Sequence, residues 1–397
     1  MLKLWQLLPY YLVLSSVYAI PCKIRVPEDV PEQTPVILKD NELFKPNNKE
    51  TNIEDGKSIT LFCAGQDNKV KDPYNKDKYL NQAVTLTCNN GRFRHNGKEY
   101  RLRDMECKTV PSSELIETRT SCANGAGQFY KVGFTYNNKF LEILTICFNK
   151  ATQRTVYSRN IIKSNLENVR MKRVCNTPFF SSDGMNFQPN NYYKVSKEII
   201  RFKTLFGDNQ PYLKEKGSFL SRGHLAPSGD YTFCYEQFAT YYFANCAPEW
   251  QQVNAGNWAD VEKATRQLAI NTDILTFTSS FGALELPMPQ TSRMITIYLD
   301  QTRKLVAPKW YYKVVMNPNW NMDVVFITLN NPFATVGREV EFCRNICGNI
   351  RGLNSATFRD ASRGYTFCCE LKDFWATAGL STSRNPYYDL ETGWRYK

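Results

Sequence analysis

Histidine is the scarcest ionisable residue of this 397-residue chain, which contains two, His95 and His224. His224 lies in the segment FLSRGHLAPSGDY, two residues after Arg222. On a β-strand, the side chains of residues two apart point to the same face. An arginine that holds an anion beside a histidine that accepts a proton suits the hydrolysis of a phosphodiester. We also expect the charge of Arg222 to lower the pKa of His224, which would keep the imidazole neutral.

The other histidine, His95, lies in the basic, hairpin-like segment GRFRHNGKEYRLR. No catalytic partner is suggested near it, so we interpret His95 as a turn or surface residue. A Ser-His-Asp hydrolase would need a nucleophile elbow, and the sequence contains no GxSxG motif. His224 is therefore the stronger candidate for a general base.

A second polar group follows in the segment FANCAPEWQQVNAGNWADVEKATR. Residues 254–269 have the periodicity of a helix, and Asn254 stands at its start, where an N-cap is expected. Glu262 lies eight residues further on and Arg266 four residues after that, so Asn254 and Glu262 can face one side. Taken alone, these residues are explained at least as well by a structural role as by a functional one. In the structural interpretation, Asn254 caps the helix, and Glu262 and Arg266 form an i,i+4 ion pair.

In combination, SRGHLAP and NCAPEWQQVNAGNWADVEKATR resemble the DNA/RNA non-specific endonucleases, which carry an Arg-Gly-His motif in a ββα-metal active site. The resemblance covers roughly residues 170 to 375. Further segments, among them KWYYKVV and FITLNNPF, resemble the secreted arthropod branch, which includes duplex-preferring DNases and nucleases that degrade double-stranded RNA. The resemblance implies a metal-dependent endonuclease for DNA, RNA or both, with double-stranded substrates expected and products that carry 5′-phosphates.

The resemblance also implies a role for each polar residue. His224 would activate water, Asn254 would be the direct protein ligand of Mg²⁺, which Mn²⁺ can replace, and Glu262 would hold metal-bound water. Arg222 and Arg266 would contact phosphate and stabilise charge in the transition state. A site with a single direct protein ligand suits Mg²⁺, because this ion gives up its bound waters reluctantly.

Three further positions follow from the same comparison. Asn245 and Ser221 would support the site, and Ser221 stands where many relatives carry Asp. Glu249 stands where Gln is common, and a carboxylate near a phosphate would weaken substrate binding or narrow the pH range. An additional upstream arginine completes such sites, and the sequence leaves three candidates open: Arg170, Arg173 and Arg201.

The first nineteen residues predict a signal peptide that is cleaved after Ala19. A transmembrane helix is the weaker interpretation, because the apolar run is short and contains Pro9. All thirteen cysteines lie beyond this site, so we expect a secreted protein with disulfides and one thiol left over. Residues 20–58 look like an irregular leader.

Two larger units follow, and together they predict an α+β fold. Residues 59–150 read as a small cysteine-rich β module and residues 151–397 as the endonuclease domain. Apolar and β-branched clusters predict strands in both units. These segments are SITLFCAG, AVTLTCNNGRF, YKVGFTY, KFLEILTICF, ILTFTSS, RMITIYL, KWYYKVVM and DVVFITL. Asn-Asn-Gly at 89–91 and His-Asn-Gly at 95–97 predict hairpin turns.

The formal net charge of +12 favours an acidic partner such as nucleic acid, and the chain is 42% hydrophobic, enough to fill folded cores. The basic segments 154–174 and 194–204 are either solvated faces or part of a phosphate-contacting surface. A catalytically silent secreted protein that binds nucleic acid or another polyanion is the alternative function. We expect neither a membrane partner nor an obligate protein partner.

Overall fold

Twenty β-strands and six α-helices form the regular structure of the described residues of a computed structural model, which are 19–46, 48–171, 175, 177–318 and 323–378. Every strand pairing is antiparallel, and the predicted α+β class is confirmed. Most of the predicted signal peptide and the last residues of the predicted endonuclease domain lie outside the described residues. No helix among the described residues is long and apolar enough to span a membrane.

The N-terminal part of the chain forms two small sheets. Its strands are β1 (Cys22–Arg25), β2 (Val36–Lys39), β3 (Glu42–Leu43), β4 (Glu50–Ile53), β5 (Ser58–Phe62), β6 (Ala83–Asn89), β7 (Arg92–His95) and β8 (Lys98–Tyr100). Strand β1 pairs with β4, and the other six form a sheet in the order β3-β2-β5-β6-β7-β8. The prediction that residues 20–58 are irregular is wrong, because four short strands from this segment pair with each other or with β5.

Tight turns connect the last strands of this sheet, as the sequence predicts. Asn90 and Gly91 have φ of 49° and 78°, and Asn96 and Gly97 have the same two values. Positive φ at both central residues defines the hairpin turn that matches the twist of the strands. His95 lies at the end of β7 beside the second turn, where its Nδ1 atom is 2.9 Å from the carbonyl oxygen of Thr85.

An eight-stranded antiparallel sheet forms the centre of the molecule. The remaining strands are β9 (Glu114–Cys122), β10 (Gly127–Tyr136), β11 (Lys139–Asn149), β12 (Arg154–Ile162), β13 (Leu220–His224), β14 (Cys246–Trp250), β15 (Ile274–Ala283), β16 (Glu285–Pro287), β17 (Met294–Thr296), β18 (Pro308–Met316), β19 (Val324–Leu329) and β20 (Thr366–Glu370). The order in the central sheet is β20-β19-β18-β15-β12-β11-β10-β9. Strands β11 and β12 are hydrogen-bonded neighbours, so the central sheet continues across residue 150.

The helices lie between these strands in the chain. They are α1 (Leu166–Val169), α2 (Val195–Phe206), α3 (Cys234–Phe238), α4 (Gln251–Asn254), α5 (Asn257–Leu268) and α6 (Leu371–Thr377). Strands β13 and β14 form a separate two-stranded antiparallel sheet, called the hairpin below although residues 225–245, which include α3, connect its strands; α4 and α5 follow it. Trp250 at the end of the hairpin and Trp258 in α5 are fully buried in the core that joins this unit to the central sheet.

Six disulfides use twelve of the thirteen cysteines, all of which are described. The pairs are Cys22–Cys88, Cys63–Cys107, Cys122–Cys147, Cys175–Cys234, Cys343–Cys369 and Cys347–Cys368. The remaining cysteine, Cys246, is a buried free thiol in β14. The expectation of disulfides with one unpaired thiol is confirmed.

Candidate active site

The hairpin of β13 and β14 carries the Arg-Gly-His motif. In its antiparallel register, His224 lies opposite Cys246 and Arg222 opposite Pro248. Arg222 and His224 share one face, as their spacing predicts, and both side chains contact the ring of Phe180. The structure therefore brings the predicted base and the predicted phosphate ligand together.

Aromatic rings enclose the imidazole of His224. The ring centroid of Phe180 lies 5.0 Å from that of His224, and the ring of Tyr241 stands edge-on at 4.7 Å. The Nε2 atom is buried and has no hydrogen-bond partner among the described residues. Burial lowers the pKa of His224 to about 4. The direction agrees with the sequence-based expectation, but its cause is burial rather than the charge of Arg222, so this part of the expectation is wrong.

The guanidinium of Arg222 also packs among aromatic rings. Its Cζ atom lies 5.0 Å from the ring centroid of Tyr193 and 5.7 Å from that of Phe243. Its Nη2 atom donates a hydrogen bond of 2.5 Å to Oδ1 of the exposed Asn190, while the buried Nε has no hydrogen-bond partner in the part of the chain that the structure describes. These contacts fix the plane of the guanidinium and leave donor capacity for an anion.

Asn254 does not cap the helix that follows it, so the interpretation of Asn254 as an N-cap is wrong. It is the last residue of α4, and the residue that caps α5 is Gly256. The Nδ2 atom of Asn254 instead donates a hydrogen bond of 3.0 Å to Oγ of Ser221, which donates at 3.0 Å to the carbonyl oxygen of Glu249. This chain of bonds fixes the side chain of Asn254 and leaves its Oδ1 atom available as a ligand.

Glu262 lies on α5 in a cluster of buried charges. Burial is the main cause that raises the pKa of Glu262 to about 7; the charge of Asp230 adds to the rise, and the charges of Arg266, Lys313 and Arg170 oppose it. Lys313 is fully buried in β18, where its Nζ donates to Oγ1 of Thr278 at 2.6 Å.

Arg266 forms its ion pairs with residues distant in the chain. Its Nε donates to Oε1 of Glu167 at 2.8 Å and its Nη1 to Oδ1 of Asp230 at 3.2 Å. No ion pair between Glu262 and Arg266 occurs among the described residues, so the i,i+4 interpretation is wrong. Asp230 lies at the end of the FLSRGHLAPSGDY segment and Glu167 in the short helix α1, and neither was identified as a site residue from the sequence.

The structure describes two of the three candidates for the upstream arginine, Arg170 and Arg201. A Cβ atom on Gly229 would lie 2.9 Å from Nη1 of Arg266 and 3.5 Å from Nη1 of Arg170, so both guanidinium groups border the same loop. Arg201 instead donates through Nε to the carbonyl oxygen of Tyr298 at 3.0 Å. Arg173 lies outside the described residues. Of the two described candidates, Arg170 is therefore the one that lies beside Arg266.

Glu249 belongs to β14 and is fully buried, and neither carboxyl oxygen has a hydrogen-bond partner among the described residues. Burial raises the pKa of Glu249 well above its usual value, and the charge of Glu262 adds to this. A Cβ atom on Gly223 would lie 2.2 Å from Oε2 of Glu249 and 3.0 Å from the hydroxyl of Tyr311. It would also lie 2.7 Å from Cβ of Glu249, so any larger residue at the centre of the Arg-Gly-His motif would require Glu249 to shift.

The side chain of Asn245 fixes the loop that follows His224 by hydrogen bonds. Its side chain is fully buried, and its Oδ1 accepts hydrogen bonds from the backbone of Ala226 at 3.0 Å and from Oγ of Ser158 at 2.7 Å. Its Nδ2 donates to the carbonyl oxygens of Ala226 and Thr240, both at 2.9 Å. Since all four bonds are internal to the protein, Asn245 fixes the end of β13 rather than offering a group to a ligand.

The side chains of Asn254 and Glu262 carry oxygen atoms of the kind that Mg²⁺ prefers as ligands. Amide and carboxylate oxygens are hard ligands, and Mg²⁺ keeps several of its waters when one or two protein groups bind it. Among the described residues, no cluster of three or more His, Cys, Asp or Glu side chains could hold a metal by itself.

The strand–strand–helix unit of β13, β14 and α5 has the order of a ββα-metal nuclease. The sequence model of the DNA/RNA non-specific endonucleases matches residues 125–374. The chain is 32% identical to the salivary protein Tsal1 of Glossina morsitans morsitans, over 91% of this chain and 92% of that protein. It is 30% identical to a salivary endonuclease of Lutzomyia longipalpis, over 91% of this chain and 84% of that protein.

Among solved structures, one similar chain comes from a crystal structure of the EndoG/EndoGI complex. It aligns with a TM-score of 0.34 at 14% identity and covers 55% of this chain and 83% of that chain.

The chain belongs to the DNA/RNA non-specific endonuclease family. It is an endonuclease of a metal-dependent family, and its substrate is nucleic acid.

Proposed function

We propose that the protein is a secreted, Mg²⁺-dependent endonuclease that hydrolyses DNA, RNA or both and leaves 5′-phosphate ends. The observation that carries this proposal is the pair of Arg222 and His224 on one strand face, with no hydrogen-bond partner for the Nε2 atom of His224 among the described residues. We expect double-stranded nucleic acid to be cleaved. A digestive or defensive role in saliva is consistent with the relatives that are named salivary proteins.

His224 is the proposed general base. With a pKa of about 4, its imidazole is neutral at physiological pH and has a lone pair for a proton. It takes a proton from water as the water oxygen attacks phosphorus. The bond from phosphorus to the 3′ oxygen then breaks, so that the phosphate stays on the 5′ side and the 3′ oxygen takes up a proton.

The arginines hold the phosphate. Arg222 orients one side of it, because its guanidinium is fixed by Asn190 and Tyr193. Arg266 and Arg170 border the loop at Gly229 and supply positive charge opposite the negative charge that develops on the phosphate oxygens. Since Asp230 and Glu167 already orient Arg266, little reorganisation accompanies the reaction.

Asn254 and Glu262 are the proposed metal-holding residues. Asn254 would contribute Oδ1 as a direct ligand, while Glu262, once ionised, would accept hydrogen bonds from the waters of the ion. A bound Mg²⁺ supplies Lewis-acid polarisation of the phosphate and stabilisation of the departing 3′ oxygen. Ser221 fixes the amide of Asn254, and Asn245 fixes the strand end beside His224.

One observation favours the alternative of a catalytically silent binder of nucleic acid or another polyanion. Phe180 and Tyr241 enclose His224, so water reaches Nε2 only after a side-chain movement. The net charge of +12 would serve a binder as well as an enzyme.

The experiment that decides between these functions uses the secreted, disulfide-bonded protein. It is incubated with double- and single-stranded DNA and RNA of one sequence, with Mg²⁺, with Mn²⁺ and with EDTA. We expect cleavage in both metals, none in EDTA, and 5′-phosphates on the product ends. Salt-sensitive binding without cleavage of any substrate would instead support the silent binder.

A further inference from the structure

A cavity of about 620 Å³ lies beside the hairpin of the active site. Cys246 and Pro248 of β14 are among the residues that line it. In the register of the hairpin, these two residues lie directly opposite His224 and Arg222. Opposite residues of an antiparallel pair have Cα atoms only about 4.5–5.5 Å apart. The wall of the cavity is therefore one strand away from the proposed base and from the proposed phosphate ligand.

Two aromatic rings connect the cavity with Arg222. Tyr193 and Phe243 both line the cavity, and their rings stack with centroids 5.8 Å apart. The Cζ atom of Arg222 lies 5.0 Å from the first of these centroids and 5.7 Å from the second. Phe281 and Tyr298 add two further rings to the lining. A concave site with aromatic walls close to a functional group is typical of a site that binds a small, flat molecule.

The charged residues that line the cavity are all cationic. Within the described part of the chain they are Arg154 and Lys304, and no Asp or Glu lines the cavity. The Nη2 atom of Arg154 donates to the carbonyl oxygen of Arg303 at 3.1 Å, and Nζ of Lys304 donates to Oδ1 of Asn186 at 3.0 Å. Both acceptors are neutral, so these contacts leave the two positive charges uncompensated. By contrast, a cavity of about 610 Å³ in the N-terminal sheet is lined by three acidic residues as well as by cations.

The loop that carries Lys304 is fixed by the buried carboxylate of Asp300. This carboxylate accepts hydrogen bonds from the amides of Lys304 and Leu305, at 3.2 and 2.7 Å. The bond from Arg154 to the carbonyl oxygen of Arg303 joins the start of β12 to the same loop. Internal hydrogen bonds therefore hold both cations at one edge of the cavity, as a site for an anion requires.

We propose that this cavity binds one unpaired nucleotide of the substrate strand, next to the nucleotide whose phosphate Arg222 holds. Arg154 and Lys304 contact the phosphate of the bound nucleotide, and the ring of Tyr298 contacts its base. The volume of about 620 Å³ suits a ligand of this size, since small-molecule pockets have volumes of about 300–1,000 Å³. The inference rests on the proposed function, because it concerns the strand that Arg222 and His224 act on.

The cavity adds affinity without sequence preference. Every base has a π-face, so an aromatic wall accepts any of them, as a non-specific endonuclease requires. A paired base would have to leave its partner and its stack to enter the cavity, and this costs free energy. The cavity therefore favours a single strand or an unpaired flank, whereas the phosphate ligands serve single and double strands alike. It also assigns Arg154, the first residue of the basic segment 154–174, to a phosphate contact.

The test measures binding by fluorescence anisotropy in EDTA over a range of salt concentrations. The probes are a labelled oligothymidylate and an abasic chain with the same number of phosphates. The double variant Arg154→Gln/Lys304→Gln removes both charges and keeps a hydrogen-bond donor at each position. Its control is Lys57→Gln/Lys69→Gln, which removes two exposed lysines that do not line the cavity.

A second pair of variants tests the aromatic wall. Tyr298→Ala removes the ring that contacts the base, and the conservative variant Tyr298→Phe keeps it. The KM and kcat values of all variants are measured in Mg²⁺ on the single strand and on a blunt duplex. Thermal unfolding shows whether each variant is folded.

We expect the double glutamine variant at Arg154 and Lys304 to bind both probes more weakly. Its plot of log K against log salt should be shallower by about 0.7, the value for one phosphate contact on a single strand. Tyr298→Ala should bind the oligothymidylate about tenfold more weakly, within the range of base–aromatic stacking, and the abasic chain as wild type does. Tyr298→Phe and the lysine control should behave as wild type. In Mg²⁺, KM for the single strand should rise more than KM for the duplex.

An affinity and a salt dependence equal to those of wild type in the folded Arg154→Gln/Lys304→Gln protein would overturn the proposal. So would a Tyr298→Ala protein that loses the same factor on the oligothymidylate and on the abasic chain. If the wild type binds the oligothymidylate but cleaves nothing in Mg²⁺, the proposed catalytic function fails instead. The anisotropy measurements in EDTA then still decide whether the cavity binds a nucleotide.

Discussion

Burial controls the ionisation of three side chains at the active site. It lowers the pKa of His224 to about 4, raises that of Glu262 to about 7, and raises that of Glu249 well above its usual value. In each case burial disfavours the charged form. At neutral pH, the same site can therefore contain a neutral imidazole at His224 and a protonated carboxyl at Glu249.

The sequence predicts the residue types of this site better than their surroundings. His224, Arg222 and Asn254 could be selected from their motifs, and Ser221 could be recognised as unusual. The hydrogen bond between Ser221 and Asn254 could not be predicted, because the two residues are 33 positions apart in the chain. The sequence predicts that the charge of Arg222 lowers the pKa of His224. The enclosing rings set it instead, and one of them, Phe180, lies 44 positions from His224.

Glu249→Gln should change how the stability of the protein depends on pH. The raised pKa of Glu249 means that the folded protein keeps a proton that the unfolded chain releases above about pH 4.5. The contribution of the protonated Glu249 to the unfolding free energy is therefore full below about pH 4.5. It decreases as the pH rises towards the pKa that Glu249 has in the folded protein. The loss amounts to at most about 1.4 kcal/mol for each pH unit.

Glutamine keeps the shape of the protonated carboxyl and does not ionise. The melting temperature of Glu249→Gln, measured by scanning fluorimetry, should therefore exceed that of wild type by an amount that grows from pH 5 to pH 8. Glu54→Gln, which changes an exposed carboxyl, is the control and should show no such trend. A difference that is constant with pH would show that Glu249 is ionised in the folded protein.

At the level of secondary structure, the hairpin and the helix behind it were predictable, and the start of the helix was not. Periodicity places one helix over 254–269, whereas the structure has α4, a break at Gly256, and then α5. The break follows from tertiary contacts. The buried side chain of Asn257 donates to the carbonyl oxygens of Thr357 and Gly364, at 2.9 and 2.7 Å, and so fixes the first turn of α5.

Asn245→Ala should destabilise the connection between the two strands of the hairpin. The substitution removes four hydrogen bonds and takes these partners from the backbone N–H and carbonyl of Ala226 and from the hydroxyl of Ser158. We expect a loss of about 2–4 kcal/mol in unfolding free energy, because each buried group left unpaired costs about 1–3 kcal/mol, partly offset by relaxation. Chemical denaturation followed by tryptophan fluorescence measures this loss.

The matched control for this variant is Asn354→Ala. The exposed Asn354 accepts one hydrogen bond, from the amide of Ala356. Its loss should change the unfolding free energy by less than about 1 kcal/mol. Similar values for the two variants would contradict the role of Asn245 as a clamp.

For the whole molecule, the N-terminal strands and the central sheet share one hydrophobic core. Ile37 and Leu61 from the N-terminal sheet belong to the same buried cluster as Phe134 of β10 and Phe233 and Tyr235 near α3. The sequence predicts strands on both sides of this contact. It does not predict the contact itself, since strand patterns do not specify which sheets pack together.

A chain that begins at residue 113 should therefore not fold as the full protein does. Removal of the N-terminal sheet would expose Phe134, Phe233 and Tyr235, which are all fully buried. A large apolar patch of this kind favours aggregation. We expect the truncated protein, secreted under the same conditions, to be retained or aggregated in size-exclusion chromatography. A monodisperse, cooperatively unfolding truncation would show that the two sheets are independent.

The central claim is that His224 is the base of a phosphodiester hydrolase, and the cleavage rate of His224→Ala tests it most directly. The initial rate on plasmid DNA and on double-stranded RNA is measured in saturating Mg²⁺ for wild type and variant, at equal concentrations and with equal melting temperatures. Loss of a general base lowers a rate by about 10²–10⁴-fold, so we predict a loss of at least a hundredfold with nucleic-acid binding retained. A folded His224→Ala protein that cleaves within tenfold of an active wild type would contradict the account.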